Sequence, residues 1–290
     1  MKLGLGTAQF GFDYGVTNAR GKVAVEEIER ILRLAADHGV AVIDTAAAYG
    51  ESEAVLGHVL GERHSFLLVT KCLPVAAERI GAAEARRVRD GFLRSLEKLR
   101  QASVYGLLVH HAADLRKPGS DLLVKELLDL KRQGLASRLG ASFYGAHELE
   151  SDMPLDIAQL PLSIADQRLV ADGTLRRLHA QGVEVHARSV FLQGLLLADR
   201  VPPSLADRAQ PLQRIAAHAR AVGLSRLALA LGFIASIREV DVALVGATSR
   251  GELEEILTAL RGPSHAGDLS RLAIQDEELL NPSRWPKVNA

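Results

Sequence analysis

The 290-residue chain has a single cysteine, Cys72. That excludes an intrachain disulfide and suits a reducing compartment, so a cytoplasmic location is expected. Aromatic residues make up only 4% of the chain, which argues against a large steroid-like pocket and for a small polar one. No charge sign dominates: Lys plus Arg and Asp plus Glu number 35 each, so no global field would recruit nucleic acid or an anionic membrane. No apolar run approaches the length of a membrane span. The start, MKLGLGTAQFGFDYG, lacks the basic-then-apolar pattern of a signal peptide. No Gly/Ser-rich linker divides the chain. Neither a G-x-G-x-x-G nor a G-x-x-x-x-G-K-[ST] element occurs, which counts against a Rossmann or P-loop nucleotide site. Cys72 neighbours Lys71, but no recognisable activating arrangement surrounds it, so a buried, inert thiol is expected.

What is present is an ordinary globular composition, 48% hydrophobic and 24% charged, arranged with a repeating rhythm. Short apolar runs predict strands over 3–9, 40–43, 66–70, 104–109, 139–142, 155–160, 183–187 and 240–245. Between them, apolar positions at helical spacing predict helices from Val25, over 52–60, along the stripe Val88, Phe92, Leu96 and Leu99, and over 122–131, 174–180, 212–221, 227–236 and 252–260. Eight strand–loop–helix units without a central break predict one domain, a closed parallel (β/α)8 TIM barrel, rather than an open doubly wound sheet. The tail after Gly262 reads as irregular and is expected to pack over one barrel face.

In such a barrel the active site lies at the C-terminal ends of the strands. Those ends carry Asp44, Lys71, His110, Ser142, Gln159, Arg188 and Gly246, with Tyr49 five residues beyond Asp44. Each has a bland explanation taken singly, as a loop cap, a core histidine or a snorkelling lysine. Solubility, however, does not require a polar group at one strand tip after another. A phenol is a poor acid near neutral pH, and an adjacent ammonium stabilises its phenolate. Lys71 can supply that ammonium from the neighbouring strand, Asp44 can hold Lys71, and His110 can donate to a carbonyl oxygen. The set suits carbonyl polarisation with proton transfer. No Ser-His-Asp arrangement or nucleophile elbow supports acyl transfer. Asp44 and His110 lack companions at ligand spacing, so no metal is expected. His110 and His111, as strand neighbours, should point to opposite sides. The aromatic side chains available to line a pocket are Phe10, Phe12, Tyr14, Phe143, Tyr144, Phe191 and Trp285, with His111 beside them.

The segments GLGTAQFG, IDTAAAYGESEAVLG, VTK, LLVHH, LGASFY, AQLPLS, RSVFLQGLL and VGATSRGELEEIL follow one another along the chain. In these segments and their order the sequence resembles the aldo-keto reductase family, from about Leu3 to Leu260. The resemblance implies a nicotinamide-dependent reductase, or alcohol dehydrogenase, acting on an aldehyde, ketone or sugar-like carbonyl without a Rossmann domain. It implies Tyr49 as general acid, Asp44 and Lys71 as its support, and His110 as the group that orients the carbonyl. Ser142 and Gln159 match positions that bind the nicotinamide carboxamide. Arg188 stands where many relatives carry an aromatic that stacks on that ring, and a guanidinium plane can stack too. Ser189 through Leu195, with Phe191 and Gly194, matches the loop over the pyrophosphate. Gly246, Ala247, Thr248 and Ser249, with Arg250 and Glu255 on the following helix, match the adenosine-phosphate site, where a helix N-terminus favours anions.

The N-terminal hairpin that often closes the barrel bottom in relatives is nearly absent. In the last segment Gly246 and Glu252 occupy positions where many NADP-using relatives carry Lys and Arg, and Ile256 replaces a common Asn. NADP is still expected over NAD, on the premise that Glu252 swings into solvent and Arg250 supplies a charge. A different reading is a catalytically quiet nucleotide-binding barrel that reports redox state to a partner protein. The intact set of Asp44, Tyr49, Lys71 and His110 favours the enzyme. An aldolase using Lys71 as a Schiff base leaves the strand-eight phosphate segment unexplained. The expected partner is a small-molecule carbonyl substrate; oligomeric state is not legible.

Overall fold

The computed structural model describes residues 1–150, 153–263 and 267–285. Eight strands, β1 (Lys2–Gly6), β2 (Val42–Asp44), β3 (Leu67–Cys72), β4 (Val104–Val109), β5 (Ala136–Ser142), β6 (Ile157–Pro161), β7 (Glu184–Arg188) and β8 (Val242–Gly246), pair in parallel in sequence order, and β8 closes on β1. The longer helices of the outer ring are α1 (Val25–Asp37), α2 (Ser52–Leu60), α3 (Ala82–Leu99), α4 (Ser120–Arg132), α5 (Thr174–Ala180), α6 (Ala209–Ala221), α7 (Arg226–Ser236) and α8 (Arg250–Arg261). This is a (β/α)8 TIM barrel.

Side chains two apart on a strand share a face, and that period explains both the core and the site. Val42, Val69, Leu108, Ile157, Val242 and Leu244 form one buried cluster inside the barrel. Gly4 faces the same layer: a Cβ there would lie 2.7 Å from Leu244 Cδ2 and 2.9 Å from Val242 Cγ1. The layer has no room for a seventh side chain, which accounts for the first glycine of the opening GLG. One period further along, the same inward phase delivers Asp44, Lys71, His110, Gln159 and Gly246 to the C-terminal mouth. At the opposite end, Tyr105 Oη donates to Glu184 Oε2 at 2.5 Å, and His186 Nε2 lies 2.9 Å from Glu184 Oε1. Between barrel and ring, α1 buries Ile28, Ile31, Leu32, Leu34 and Ala35, and α3 buries Val88, Phe92, Leu96 and Leu99.

Several boundaries differ from those read in the sequence. β1 stops at Gly6, because Thr7 turns to donate its amide (3.0 Å) and its hydroxyl (2.9 Å) to the Asp44 carbonyl, and 8–11 then coil into a helical turn. β2 begins at Val42, not Val40. Gly39 takes φ +70°, and Val40 N donates back to Ala35 O at 2.9 Å, so Val40 belongs to the C-cap of α1. Asp44 and Arg188 are therefore the last residues of their strands rather than the first of their loops. The tail is less irregular than expected, with short turns at Ser270–Leu272, Glu277–Leu280 and Pro282–Arg284. It is pinned by Gln167 Nε2 to Leu269 O (2.9 Å), Ile274 N to Ala165 O (2.8 Å) and Trp285 Nε1 to Leu279 O (3.0 Å). The predicted tail's residues 264–266 and 286–290 lie outside the described residues. Among the described residues, no single helix is long and apolar enough to cross a membrane.

Candidate active site

A groove of about 710 Å³ opens at the C-terminal mouth, within the range of small-molecule and cofactor sites. Of the residues expected there, Asp44, Tyr49, His110, Ser142, Gln159, Arg188, Ser189, Phe191, Gly194, Gly246, Thr248 and Glu255 line it. Lys71 lies beneath its floor, only 1% exposed. Leu195 and Ala247 are buried, Ser249 is committed as the N-cap of α8, and the Arg250 side chain is exposed. None of these four lines it. Of the aromatic candidates, Tyr14, Tyr144 and Phe191 reach the groove. Phe10, Phe143 and Trp285 are packed in the core, while Phe12 meets Tyr49 edge-on at 6.3 Å.

The floor is a chain of charge. Lys71 Nζ lies 2.6 Å from Asp44 Oδ2 and donates to Thr45 O at 2.8 Å. The ammonium sits 5.0 Å from the centroid of the Tyr49 ring. Burial alone would pull Lys71 down, but the Asp44 carboxylate and then Tyr49 outweigh it and hold the lysine above its ordinary range. Asp44 is gripped from its other oxygen by Gln159 Nε2 at 2.7 Å. With its amide nitrogen committed to a carboxylate, Gln159 presents its oxygen as an acceptor. Cys72, one residue past Lys71, is buried, and burial pushes its thiol up to about 12. It takes no part.

His110 stands on the other side of Tyr49, with ring centroids 5.7 Å apart and planes at 84°. Burial pushes its imidazole down to about 3, and the charges of Lys71, His111 and Arg188 act in the same direction. It is neutral at physiological pH. Its Nδ1 is buried with no hydrogen-bond partner among the described residues. The expectation that His110 and His111 point to opposite sides does not hold. β4 ends at Val109, the chain turns, and the two rings meet edge-on at 5.3 Å.

The low value has a consequence for stability. In the unfolded chain this imidazole titrates at about 6.5, so below that pH the unfolded state binds a proton that folded His110 refuses. Stability therefore falls as pH drops from about 6.5 toward 3. Between pH 7.5 and 5 the loss from this group is about 1–2 kcal/mol. Urea unfolding of wild type and His110→Gln at both pH values measures it, and the variant should lose less stability on acidification.

Arg188 does not lie free in the groove. Its guanidinium donates to Phe143 O (3.0 Å) and Ser189 Oγ (3.2 Å), and its Cζ lies 4.5 Å from the Tyr144 ring centroid. The loop beyond it is held in left-handed backbone at Ser189, Leu192, Gln193 and Gly194. Three of these are not glycine, a conformation found where surrounding structure overrides local preference. At the start of α8, Glu252 does not swing into solvent. Its carboxylate accepts from Thr248 N at 2.7 Å and from Thr248 Oγ1 at 2.8 Å.

Other residues that build the site were not singled out from the sequence. Ser52 Oγ lies 2.8 Å from Thr7 Oγ1 and 3.0 Å from Thr45 Oγ1, a buried hydroxyl cluster that ties the loop carrying Tyr49 to β1 and β2. Gln9 lines the groove and bonds Gly6 O and Ala247 O, joining the first and last strand ends. Gly11 packs directly on the Tyr49 carbonyl, where a Cβ would collide with it. The one signal for it was the glycine closing GTAQFG.

Comparison with known proteins bears on this geometry. The family model described as Aldo/keto reductase family matches residues 2–274. L-galactose dehydrogenase of Arabidopsis thaliana is 27% identical over 92% of this chain and 89% of its own length. D-arabinose 1-dehydrogenase of Saccharomyces cerevisiae is 32% identical over 40% of this chain, a match that spans only 36% of that enzyme. Among solved structures, an aldo-keto reductase from Bacillus halodurans in its holo form superposes with a TM-score of 0.75 at 19% identity, covering 94% of this chain and 92% of that one. The glycerol dehydrogenase of Gluconobacter oxydans gives 0.72 at 22% identity, covering 93% and 89%. The two structures share the fold, and the family model spans nearly the whole barrel: the chain belongs to the aldo/keto reductase family.

Proposed function

We propose that the protein is an NAD(P)H-dependent oxidoreductase that interconverts an aldehyde, ketone or sugar-like carbonyl with its alcohol. The observation that carries the reading is the buried ammonium of Lys71, held 2.6 Å from Asp44 beneath the Tyr49 ring, with a neutral His110 against the same ring. The size of the groove, its polar lining residues and the left-handed loop beside it support a nicotinamide dinucleotide as the occupant. Ser142 and the free oxygen of Gln159 would hold the carboxamide. Ser189 to Leu195 would hold the pyrophosphate, and the start of α8 the adenosine end.

When bound, a reduced nicotinamide supplies the hydride that the carbonyl carbon accepts. Tyr49 delivers a proton to the carbonyl oxygen, and its phenolate is stabilised by Lys71 until solvent restores the proton. His110, unable to carry charge at working pH, donates an uncharged N–H that orients the carbonyl. Asp44 keeps Lys71 charged and in place, and Gln159 keeps Asp44 in place. In the reverse direction Tyr49 is the base. The cytoplasm, where a lone thiol stays reduced, is the compartment we assign. A panel of aldehydes and sugars offered with NADH and with NADPH, followed by nicotinamide absorbance, tests the reading. Consumption of reduced cofactor that depends on the carbonyl is the expected result.

A positioning prediction follows from Gly11. A methyl group at this position displaces the Tyr49 carbonyl, and misplacement of a reacting group by about 1 Å costs on the order of 100-fold. Gly11→Ala should lower kcat/KM by about 10- to 100-fold while circular dichroism and cofactor affinity stay near wild type.

A further inference from the structure

Resting on the reading that the groove holds a nicotinamide dinucleotide, we infer that Glu252 makes the protein select NAD(H) over NADP(H) by occupying the place of a 2′-phosphate. The groove runs from Tyr49 and His110 to Thr248, Glu252, Glu255 and Ile256. With the reacting ring beside Tyr49, the adenosine half reaches the end formed by α8. There the amides of Thr248, Arg250 and Glu252 are already taken by the protein's own side chains. Glu252 accepts from both the amide and the hydroxyl of Thr248, at 2.7 and 2.8 Å. Glu27, on α1, accepts the amide of Arg250 at 2.6 Å. Ser249 Oγ accepts the amide of Glu252 at 3.2 Å.

An incoming phosphate would have to break two hydrogen bonds to a carboxylate and then sit beside the displaced charge. A ribose 2′-hydroxyl meets the opposite situation. It is a donor, each carboxylate oxygen of Glu252 has a spare lone pair, and an acidic residue that takes the ribose hydroxyl marks NAD sites in other nucleotide folds. Ile256, also at this end, offers no polar atom. The cations nearby do not restore the balance. The side chain of Arg250 is exposed and does not line the groove. Arg20 lines it but shares its field with Glu27. Against these two stand three carboxylates, Glu27, Glu252 and Glu255.

Calorimetric titration of NADH and NADPH into wild type and Glu252→Gln tests this without turnover. Glutamine keeps the size and an acceptor for Thr248 but removes the charge. Wild type should bind NADH at least tenfold more tightly than NADPH. Glu252→Gln should tighten NADPH about five- to tenfold and leave NADH within about threefold. Wild type that binds NADPH as tightly as NADH overturns the inference, and so does a preference for NADH that Glu252→Gln leaves unchanged. In both cases the dinucleotide site itself stands. Failure of either nucleotide to bind overturns that reading and this inference together.

Discussion

Tyr49→Phe should leave a folded protein that binds nicotinamide cofactor within a few-fold of wild type and turns over carbonyl substrates about 100- to 10,000-fold more slowly, the range contributed by a positioned general acid. The expectation is sharp because the hydroxyl is the only part removed. The ring still packs edge-on against His110 and over Lys71, at 5.7 and 5.0 Å between the stated centres, so neither neighbour loses its packing. The loop is anchored by backbone, Ser52 N to Tyr49 O at 3.0 Å and Tyr49 N to Ala46 O at 2.9 Å, and does not depend on the hydroxyl. Steady-state kinetics with parallel cofactor titration checks both halves. Retention of near-native kcat/KM would remove Tyr49 from proton transfer.

Lys71→Met should produce the largest loss of stability of any single change in the site, about 3–5 kcal/mol, because it strands the Asp44 carboxylate in the core without its cation. Lys71 is 1% exposed and Asp44 4%, and what remains for Asp44 is the Gln159 amide. The pair's contribution has a defined pH window. The folded lysine is held above its ordinary value near 10.5, so its contribution is complete at neutral pH and is lost only as pH rises through that raised value. Urea unfolding at pH 7 measures the effect. The double variant Asp44→Asn/Lys71→Met removes the stranded charge and should recover much of the loss, which separates an ion-pair effect from a packing defect. In whichever of these variants folds, the pH–rate profile of alcohol oxidation should move alkaline, since the phenolate base has lost its ammonium. An unmoved profile with chemistry rate-limiting would make Lys71 a structural residue.

The barrel was legible because its strands and helices carry clean periods. The strand over 104–109 and the helices over 52–60 and 174–180 have the predicted bounds. Where strand bounds differ from the apolar pattern, local hydrogen bonds override it. Val40 looks like strand but is drawn into the helix cap by Ala35 O, and Thr7 to Gln9 look like strand but are turned by the Asp44 carbonyl. The polar groups at the mouth, Asp44, Lys71 and His110 among them, were legible as the residues at successive strand ends. What supports them was not. Ser52, Gln9 and Gly11 act through contacts across 45, 238 and some 38 positions of chain respectively, and no local pattern marks such partners. The charge of Glu252 is plain in the sequence, but its direction depends on Thr248, four residues back, whose two donors turn it inward.

The central claim is that this groove moves a hydride to a carbonyl carbon while Tyr49 protonates the oxygen. The most direct test is to supply wild-type protein with cofactor carrying deuterium at the transferring C4 position, together with the best carbonyl of the panel, and to analyse the alcohol by mass spectrometry and NMR. The account predicts one deuterium bonded to the former carbonyl carbon, and loss of the labelled product in Tyr49→Phe. Tight cofactor binding with no labelled alcohol from any aldehyde, ketone or sugar would contradict it and leave a barrel that holds nucleotide without catalysing its oxidation.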